Sequence, residues 1–369
     1  MQGQHFGHLD DLLFTVSRQG ASDLHLVAGS VPQIRIDGRL RQLVGDPLSG
    51  ADIENICYSI LTDAEKSRLE EQRELDFAIR RENIGRFRAN YYYTLGGGGS
   101  NEGQKSELAA AFRIIPEHIP SLDDLNCPAI FKELIKREKG LILVTGPTGS
   151  GKSTTLAAML NEVNLTERKH IITVEEPVEF LHEHKKSLFS QRNVGTDTKS
   201  FANALRSALR EDPDIILIGE MRDPETISIA LTAAETGHLV FGTLHTNSAI
   251  QTVTRIIESY PQEMQAQVQV MLSNSLAAVI SQALLPKKES GRLAVHEILV
   301  SNPAIANLIR ENKINQIYSQ MQVNQLNTNM QTQTQGLVNA IKAGLIDKET
   351  ALRYSTNLQE LKGALGIIG

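Results

Sequence analysis

The stretch GPTGSGKST, Gly146 to Thr154, carries residue types that can hold phosphate. It fits the pattern G-x-x-x-x-G-K-[ST] in the required context, because it follows the apolar run LILVT and opens the helical pattern STTLAAML. The glycines allow backbone N–H groups to surround phosphate oxygens, and the helix N-terminus adds partial positive charge. We expect Lys152 to contact the β- and γ-phosphates of a nucleotide and Ser153 to bind Mg²⁺. The predicted phosphate-binding residues are Gly146, Thr148, Gly149, Ser150, Gly151, Lys152, Ser153 and Thr154.

Two further apolar runs end in carboxylates. Ile215 to Ile218 predict a buried strand that ends at Glu220, and an acid beside the phosphate loop can organise Mg²⁺ and its waters. The run IITV leads into a cluster of three acids, which is costly unless a cation lies near. One of the three could orient an attacking water; they are Glu175, Glu176 and Glu179. The alternatives are a helix cap or surface acid for Glu220, and a solvated acidic turn for the cluster.

Several histidines remain ambiguous from pattern alone. His238 and His245 flank the apolar run that begins at Leu239. Histidines in such places are usually structural, and a separation of seven residues puts these two on opposite faces of a strand, so we expect different roles. His182 and His184 lie in the charged run HEHKK, which lacks the spacing of a zinc site and predicts a solvated face.

The elements around these residues divide the chain by pattern. From Gly140 onward, short Val/Ile/Leu runs alternate with helical patterns, which is typical of a doubly wound parallel sheet. The preceding part predicts a helix at residues 8–19, a hairpin at Asp37-Gly38, a helix capped by Ser49 and further alternating strands, which together form a small α+β domain. Gly96–Glu107 has the composition of a flexible loop, natural or engineered. After Pro286 the pattern predicts mostly helices.

Composition limits the class of protein. The 369 residues are 41% hydrophobic and 22% charged, ordinary values that allow two or three domains with a sizeable core. A net charge of −6 disfavours non-specific nucleic-acid binding. Two cysteines in unrelated contexts predict no disulfide framework and a reducing cytoplasm. No apolar run approaches the roughly 18 residues that cross a bilayer, so we expect a soluble protein that reaches a membrane through partners.

Four motifs in one order carry a family resemblance: GPTGSGKST, TVEEPVEF, DPDIILIGEMRD and TGHLVFGTLHT. They resemble those of the secretion ATPase superfamily, the motors of type IV pili and type II secretion, and the nearer likeness is to the pilus retraction ATPases. The resemblance covers nearly the whole chain. It implies an α/β fold class, with a PAS-like N-terminal α+β domain at 1–115, a RecA-like P-loop NTPase core at 116–300 and C-terminal helices at 301–369.

The resemblance also implies roles for single residues. It makes Glu179 the catalytic carboxylate. It makes Glu220 the Walker B acid, which binds Mg²⁺ together with Ser153. The family's His box corresponds to His238 and His245. Arg88 and Arg113 match the family's arginines that reach a neighbouring nucleotide; the alternative for each is a surface salt bridge. Glu176 replaces the aspartate usual in the family's acidic box, so its role stays open.

The function implied is a homohexameric motor that hydrolyses Mg-ATP to retract type IV pili, which drives twitching motility. Its expected partner is the inner-membrane pilus platform protein, with no nucleic acid, and its expected location is cytoplasmic, peripheral at the inner membrane. NPAIANLIRE, residues 302–311, predicts an amphipathic helix with Asn302 as its N-cap and Pro303 at its first position, and with one apolar face formed by Ala304, Ile305, Leu308 and Ile309. It resembles the AIRNLIRE motif of retraction ATPases, with Ala306 in place of its arginine. The alternatives are a pilus assembly or type II secretion ATPase, a RecA-like nucleic-acid motor, or a regulatory subunit that binds ATP without hydrolysing it. The last would be expected to lose Glu179, Glu220 or Lys152.

Overall fold

A computed structural model describes residues 8–36, 38–95, 106–115, 118–323 and 328–367. The chain divides into two compact units, Met1–His118 and Ile119–Gly369. Asp37 of the predicted hairpin, residues 96–105 of the predicted loop and the domain limit at residue 116 lie outside the described residues. Within the described part of the chain, no helix is both long and apolar enough to cross a membrane.

The first unit is α+β, as the sequence predicted. Its helices are α1 (Leu9–Arg18), α2 (Gly50–Tyr58) and α3 (Asp63–Gln72), and its strands are β1 (Asp23–Leu26), β2 (Gln33–Ile36), β3 (Arg39–Gln42), β4 (Glu74–Arg81), β5 (Gly85–Leu95) and β6 (Ser106–Ile115). The strands form one antiparallel sheet in the order β3-β2-β1-β6-β5-β4. Ser49 caps α2 through a capping box with Asp52. The likeness to PAS domains remains a prediction.

The second unit contains the predicted doubly wound sheet. Its strands are β7 (Gly140–Thr145), β8 (His170–Glu175), β9 (Leu188–Asn193), β10 (Ile215–Ile218), β11 (Leu239–Leu244), β12 (Leu276–Pro286) and β13 (Arg292–Val300), in the order β13-β12-β7-β11-β10-β8-β9. All neighbours pair in parallel except β12 and β13. Helix α4 (Ile130–Leu134) precedes β7, and the helices between the strands are α5 (Lys152–Thr166), α6 (Phe201–Ala208), α7 (Pro224–Glu235), α8 (Ala249–Glu258) and α9 (Gln262–Ser275).

Burial explains why these apolar runs form central strands. Every residue of β7, β10 and β11 is buried, so each strand faces apolar side chains on both sides. One apolar cluster packs the sheet against α7, α8 and α9, and another packs its opposite face against α4 and α5. The chain thereby holds the ends of the central strands in fixed positions.

The remaining chain is helical, apart from β13. It forms α10 (Pro303–Arg310), a 3₁₀ turn (Ile314–Gln316), α11 (Ile317–Gln322), α12 (Gln333–Lys342), α13 (Lys348–Tyr354) and α14 (Leu358–Ala364). The prediction of mostly helices after Pro286 missed one nine-residue strand, β13. All of β13 pairs antiparallel with β12. Its apolar run LAVHEILV is buried between β12 and the C-terminal helices, so tertiary packing selects the strand.

Candidate functional site

The predicted site residues come together because four parallel strands end at the same edge of the sheet. The phosphate loop follows β7, His245 follows β11, Glu220 follows β10 and the acidic turn follows β8. These four strands are neighbours in the order β7-β11-β10-β8. In open α/β sheets, this carboxyl edge is where ligands bind.

The phosphate loop has a backbone that requires glycine. Gly146, Gly149 and Gly151 have φ angles of 142°, 79° and 87°, a region that side chains disfavour. A Cβ on Gly146 would also lie 2.3 Å from the backbone oxygen of Gln282. Helix α5 begins directly after the loop at Lys152, so its free N–H groups point toward the loop. The loop therefore has the geometry of a phosphate cradle.

Lys152 lies across this loop. Its Nζ donates to the carbonyl oxygens of Gly146 and Pro147, at 2.8 Å and 3.1 Å. Burial lowers the pKa of Lys152, and the carboxylates of Glu220 and Glu179 act in the opposite direction. Both carboxylates are thus close enough to act on the lysine electrostatically, although they follow different strands, β8 and β10.

Glu220 lies between the side chains of Arg222 and His245. Its Oε1 is 2.6 Å from Arg222 Nε and 3.1 Å from His245 Nε2. Burial would raise the pKa of Glu220, but Arg222, His245 and Lys152 outweigh it and hold the pKa below its usual range. Gly219 permits the approach to β8, because a Cβ there would lie 3.0 Å from the Cα of Glu175.

The three acids after β8 occupy different environments. Glu175 accepts a hydrogen bond from Thr173 Oγ1 at 2.8 Å and another from the backbone of Glu179. Burial raises the pKa of Glu175 to about 7, with a further rise from the charge of Glu179. Glu176 is exposed, and its charge raises the pKa of Arg222. The charge of Glu179 instead raises the pKa of Lys152. The structure thus distinguishes two acids that the sequence pattern left equivalent.

A cavity of about 30 Å³ lies beside the loop and is lined in part by Ser153, Glu175, Gly219 and Thr243. It has room for a water molecule next to polar groups. His182 also lines it, so the predicted solvated face is wrong for this residue. The His182 ring stacks on Phe189 with centroids 4.3 Å apart, and burial lowers its pKa to about 4.

His238 and His245 lie at opposite ends of β11. His245 joins the cluster through Glu220. His238 precedes the strand, where its Nδ1 lies 3.0 Å from the Ala233 oxygen and its carbonyl accepts from the N–H of Gly140. Within this chain, His238 is therefore at the far edge of the sheet from the phosphate loop and makes backbone contacts. Its functional role stays a prediction.

Arg88 and Arg113 lie in the first unit, where they are cross-strand partners in β5 and β6. Arg113 Nε is 2.8 Å from Asp23, and Arg88 Nε is 3.7 Å from Asp76. Each arginine thus has an acidic partner in its own unit. Their side chains are still 38% (Arg88) and 65% (Arg113) exposed, which leaves donors available to a further ligand.

Sequence inspection missed one residue that contacts the phosphate loop. Gln282 lies in β12, next to β7, and its side chain donates to the Ser150 carbonyl oxygen. Its Oε1 accepts from Thr155 Oγ1 at 2.8 Å and lies 3.2 Å from His296 Nε2. The available signal was a polar pair, Ser281-Gln282, within the apolar run LAAVISQALL.

Magnesium fits the oxygen ligands at this site. Among the residues that the structure describes, no group of three His, Cys, Asp or Glu side chains could hold a metal by itself. Mg²⁺ rarely needs such a group, because it binds through one or two protein oxygens together with phosphate and water. The Ser153 hydroxyl and the Glu220 carboxylate are suitable oxygen ligands beside the loop.

Comparison with known proteins supports this description. Residues 7–353 match the family model described as Type II/IV secretion system protein. The chain is 49% identical over 343 residues to the type IV pilus retractation ATPase PilT of Pseudomonas aeruginosa, covering 93% of this chain and 96% of that protein. It is 48% identical over 351 residues to the twitching motility protein of Neisseria gonorrhoeae, covering 95% and 91%. A crystal structure of the pilus retraction motor PilT with bound ADP superposes with a TM-score of 0.86 at 47% identity, covering 96% and 99%.

Proposed function

The chain belongs to the family of Type II/IV secretion system proteins and is a P-loop ATPase, and we propose that it is the motor that retracts type IV pili. The observation that carries the proposal is the convergence of Lys152, Glu179 and Glu220 at one edge of the parallel sheet. Relatives described as a pilus retractation ATPase and a twitching motility protein support retraction as the work performed.

The side chains divide the work of hydrolysis between them. The loop N–H groups and Lys152 bind the phosphates, and on this proposal Lys152 leaves its backbone acceptors to do so. Glu179 orients the attacking water and accepts its proton. Bound Mg²⁺, held by Ser153 and Glu220, would neutralise charge on the phosphates. His245 fixes the orientation of the Glu220 carboxylate from the end of the neighbouring strand.

The proposal extends to the assembly. Six copies form a ring, in which Arg88 and Arg113 of one subunit reach the nucleotide of its neighbour. The three-part division at 1–115, 116–300 and 301–369 separates the arginines, the ATPase core and the helices that transmit motion. The ring works in the cytoplasm against the inner-membrane platform protein of the pilus, without nucleic acid. Pilus assembly or type II secretion by the same ATPase chemistry is the second candidate, favoured only by shared family membership.

ATP turnover by the purified protein, with and without DNA, tests this function. We expect Mg-dependent hydrolysis that DNA leaves unchanged, since the net charge is −6. Lys152→Ala should abolish turnover, because the loop then lacks its cation. Turnover that requires DNA would favour a nucleic-acid motor, and near wild-type turnover by Lys152→Ala would contradict the assignment of the phosphate loop.

A further inference from the structure

Gln282 has the contacts of a residue that shapes a binding loop. Its side chain is 3% exposed and lies in a buried part of β12. Its amide nitrogen donates to the Ser150 carbonyl, while its amide oxygen lies within hydrogen-bond distance of Thr155 Oγ1 and His296 Nε2. A buried amide needs such partners, and here they connect the phosphate loop, helix α5 and strand β13.

The backbone of the same residue also contacts the loop. The Gln282 carbonyl oxygen lies only 2.3 Å from the position that a Cβ on Gly146 would take. Gln282 therefore meets both ends of the loop, Gly146 through its backbone and Ser150 through its side chain. His296 supports this arrangement from β13, where it is the direct cross-strand partner of Gln282.

The contact with Ser150 determines where a neighbouring N–H group points. In a planar trans peptide, the carbonyl oxygen and the following N–H point in opposite directions. A Ser150 carbonyl held toward Gln282 therefore directs the Gly151 N–H away from the Gln282 amide. Such N–H groups are the phosphate ligands of a glycine-rich loop.

We propose that Gln282 is a positioning residue for nucleotide binding, which fixes the Ser150–Gly151 peptide so that its N–H faces the phosphates. The inference rests on the proposed nucleotide site and adds a residue that the loop motif does not contain. Gln282 itself does not touch the nucleotide; it acts through the loop.

Gln282→Met keeps the size of the side chain and removes both hydrogen-bonding groups. We expect the Kd for ADP, measured by fluorescence titration, and the KM for ATP both to rise about tenfold, the scale of one lost buried hydrogen bond. If Gln282 had a purely structural role, the variant would show a lower folded fraction and a lower kcat, but the same Kd for ADP and the same KM for ATP as the wild type. The matched control is Gln269→Met, a buried glutamine in α9 that should leave both constants at the wild-type values.

The outcomes separate this inference from the proposed function. Wild-type binding of ADP together with an unchanged Kd in Gln282→Met would overturn the inference alone, as would equal effects in Gln269→Met. Absence of ADP binding by the wild-type protein would overturn both. If Gln282→Met does not fold, Thr155→Val removes one hydrogen bond that orients the amide and must weaken ADP binding by a smaller factor; an unchanged Kd there also overturns the inference.

Discussion

Glu179 and Glu176 lie three residues apart and face different cations. The charge of Glu179 favours the protonated form of Lys152, and the charge of Glu176 favours that of Arg222. We therefore expect Glu179→Gln to bind Mg-ATP with near wild-type affinity and to hydrolyse it at least about 100-fold more slowly, since a positioned base contributes on that scale. Single-turnover hydrolysis and nucleotide titration measure the two quantities separately.

Glu176→Gln is the matched control, because it removes the same charge from the same turn. It should retain most of the wild-type turnover. If Glu176→Gln is inactive while Glu179→Gln turns over normally, the catalytic role lies with the other acid of the turn.

The motif residues could be placed at one site from the sequence because each follows a core strand and such strands are parallel. Residue types and spacing did not distinguish Glu176 from Glu179, since spacing does not reveal which cation lies near each acid; only the family resemblance favoured Glu179. Sequence alone also could not identify Gln282, because two partners of its buried amide, Ser150 and Thr155, lie 132 and 127 residues away in the chain. His182 was misplaced for a related reason: its charged neighbours are exposed, but its own ring packs on Phe189.

At the scale of elements, α10 forms as its end signals predicted. The Asn302 side chain accepts from Ile305 N at 2.9 Å, Pro303 occupies the first turn, and Ile305 and Ile309 are buried. Ala304, expected on the same apolar face, is exposed. The sequence predicted the N-cap and the two isoleucines that are buried. It could not predict how wide the buried face is, because that depends on how α10 packs against α9.

Arg310 lies on the exposed face at the end of this helix, with Nη2 3.5 Å from Asn274 Oδ1. We expect Arg310→Ala to leave ring formation and nucleotide affinity intact and to abolish twitching while surface pili are retained, because we propose that the polar face of α10 transmits motion. Arg353→Ala, an exposed arginine in the last turn of α13, is the control and should twitch normally. Loss of surface pili, or normal twitching, in Arg310→Ala would show that α10 does not have this role.

At the scale of the whole molecule, two histidines make the fold sensitive to acid, the buried His296 and the partly buried His182. Burial lowers the pKa of His296 and of His182 from 6.5 to about 4. Between pH 4 and pH 6.5 the unfolded chain binds protons that the folded chain does not. The stability that the two neutral rings contribute is therefore complete above pH 6.5 and is lost as the pH falls through 4. Each ring contributes on the order of 3 kcal/mol at most.

In denaturant unfolding between pH 7 and pH 4, these two histidines should therefore lower the free energy of unfolding, against an opposing contribution from Glu175, whose pKa burial raises to about 7. The double variant His182→Phe with His296→Gln removes both titrating rings, while glutamine keeps a donor for Gln282. Its stability should depend less steeply on pH over this range. An equally steep dependence in the variant would show that other groups cause the loss.

The proposed role of Arg113 predicts that subunits with different defects can complement each other. If Arg113 serves the nucleotide of a neighbouring subunit, mixing Arg113→Ala subunits with Lys152→Ala subunits should restore part of the ATPase activity, because some interfaces then hold an intact pair. Arginines in this role contribute roughly 10³ to 10⁵ in rate. Rings that form at every mixing ratio without recovered activity would contradict the role, and Asp23→Asn reports what loss of the 2.8 Å ion pair alone does.

Pilus length in living cells tests the central claim most directly. In cells from which the gene has been deleted, labelled pili are followed by fluorescence after reintroduction of the wild-type gene or of Lys152→Ala. We predict that the wild-type gene restores shortening of extended pili and that Lys152→Ala leaves pili extended on the surface. Pili that fail to shorten with the wild-type gene, or that shorten equally well with Lys152→Ala, would contradict an ATP-driven retraction motor.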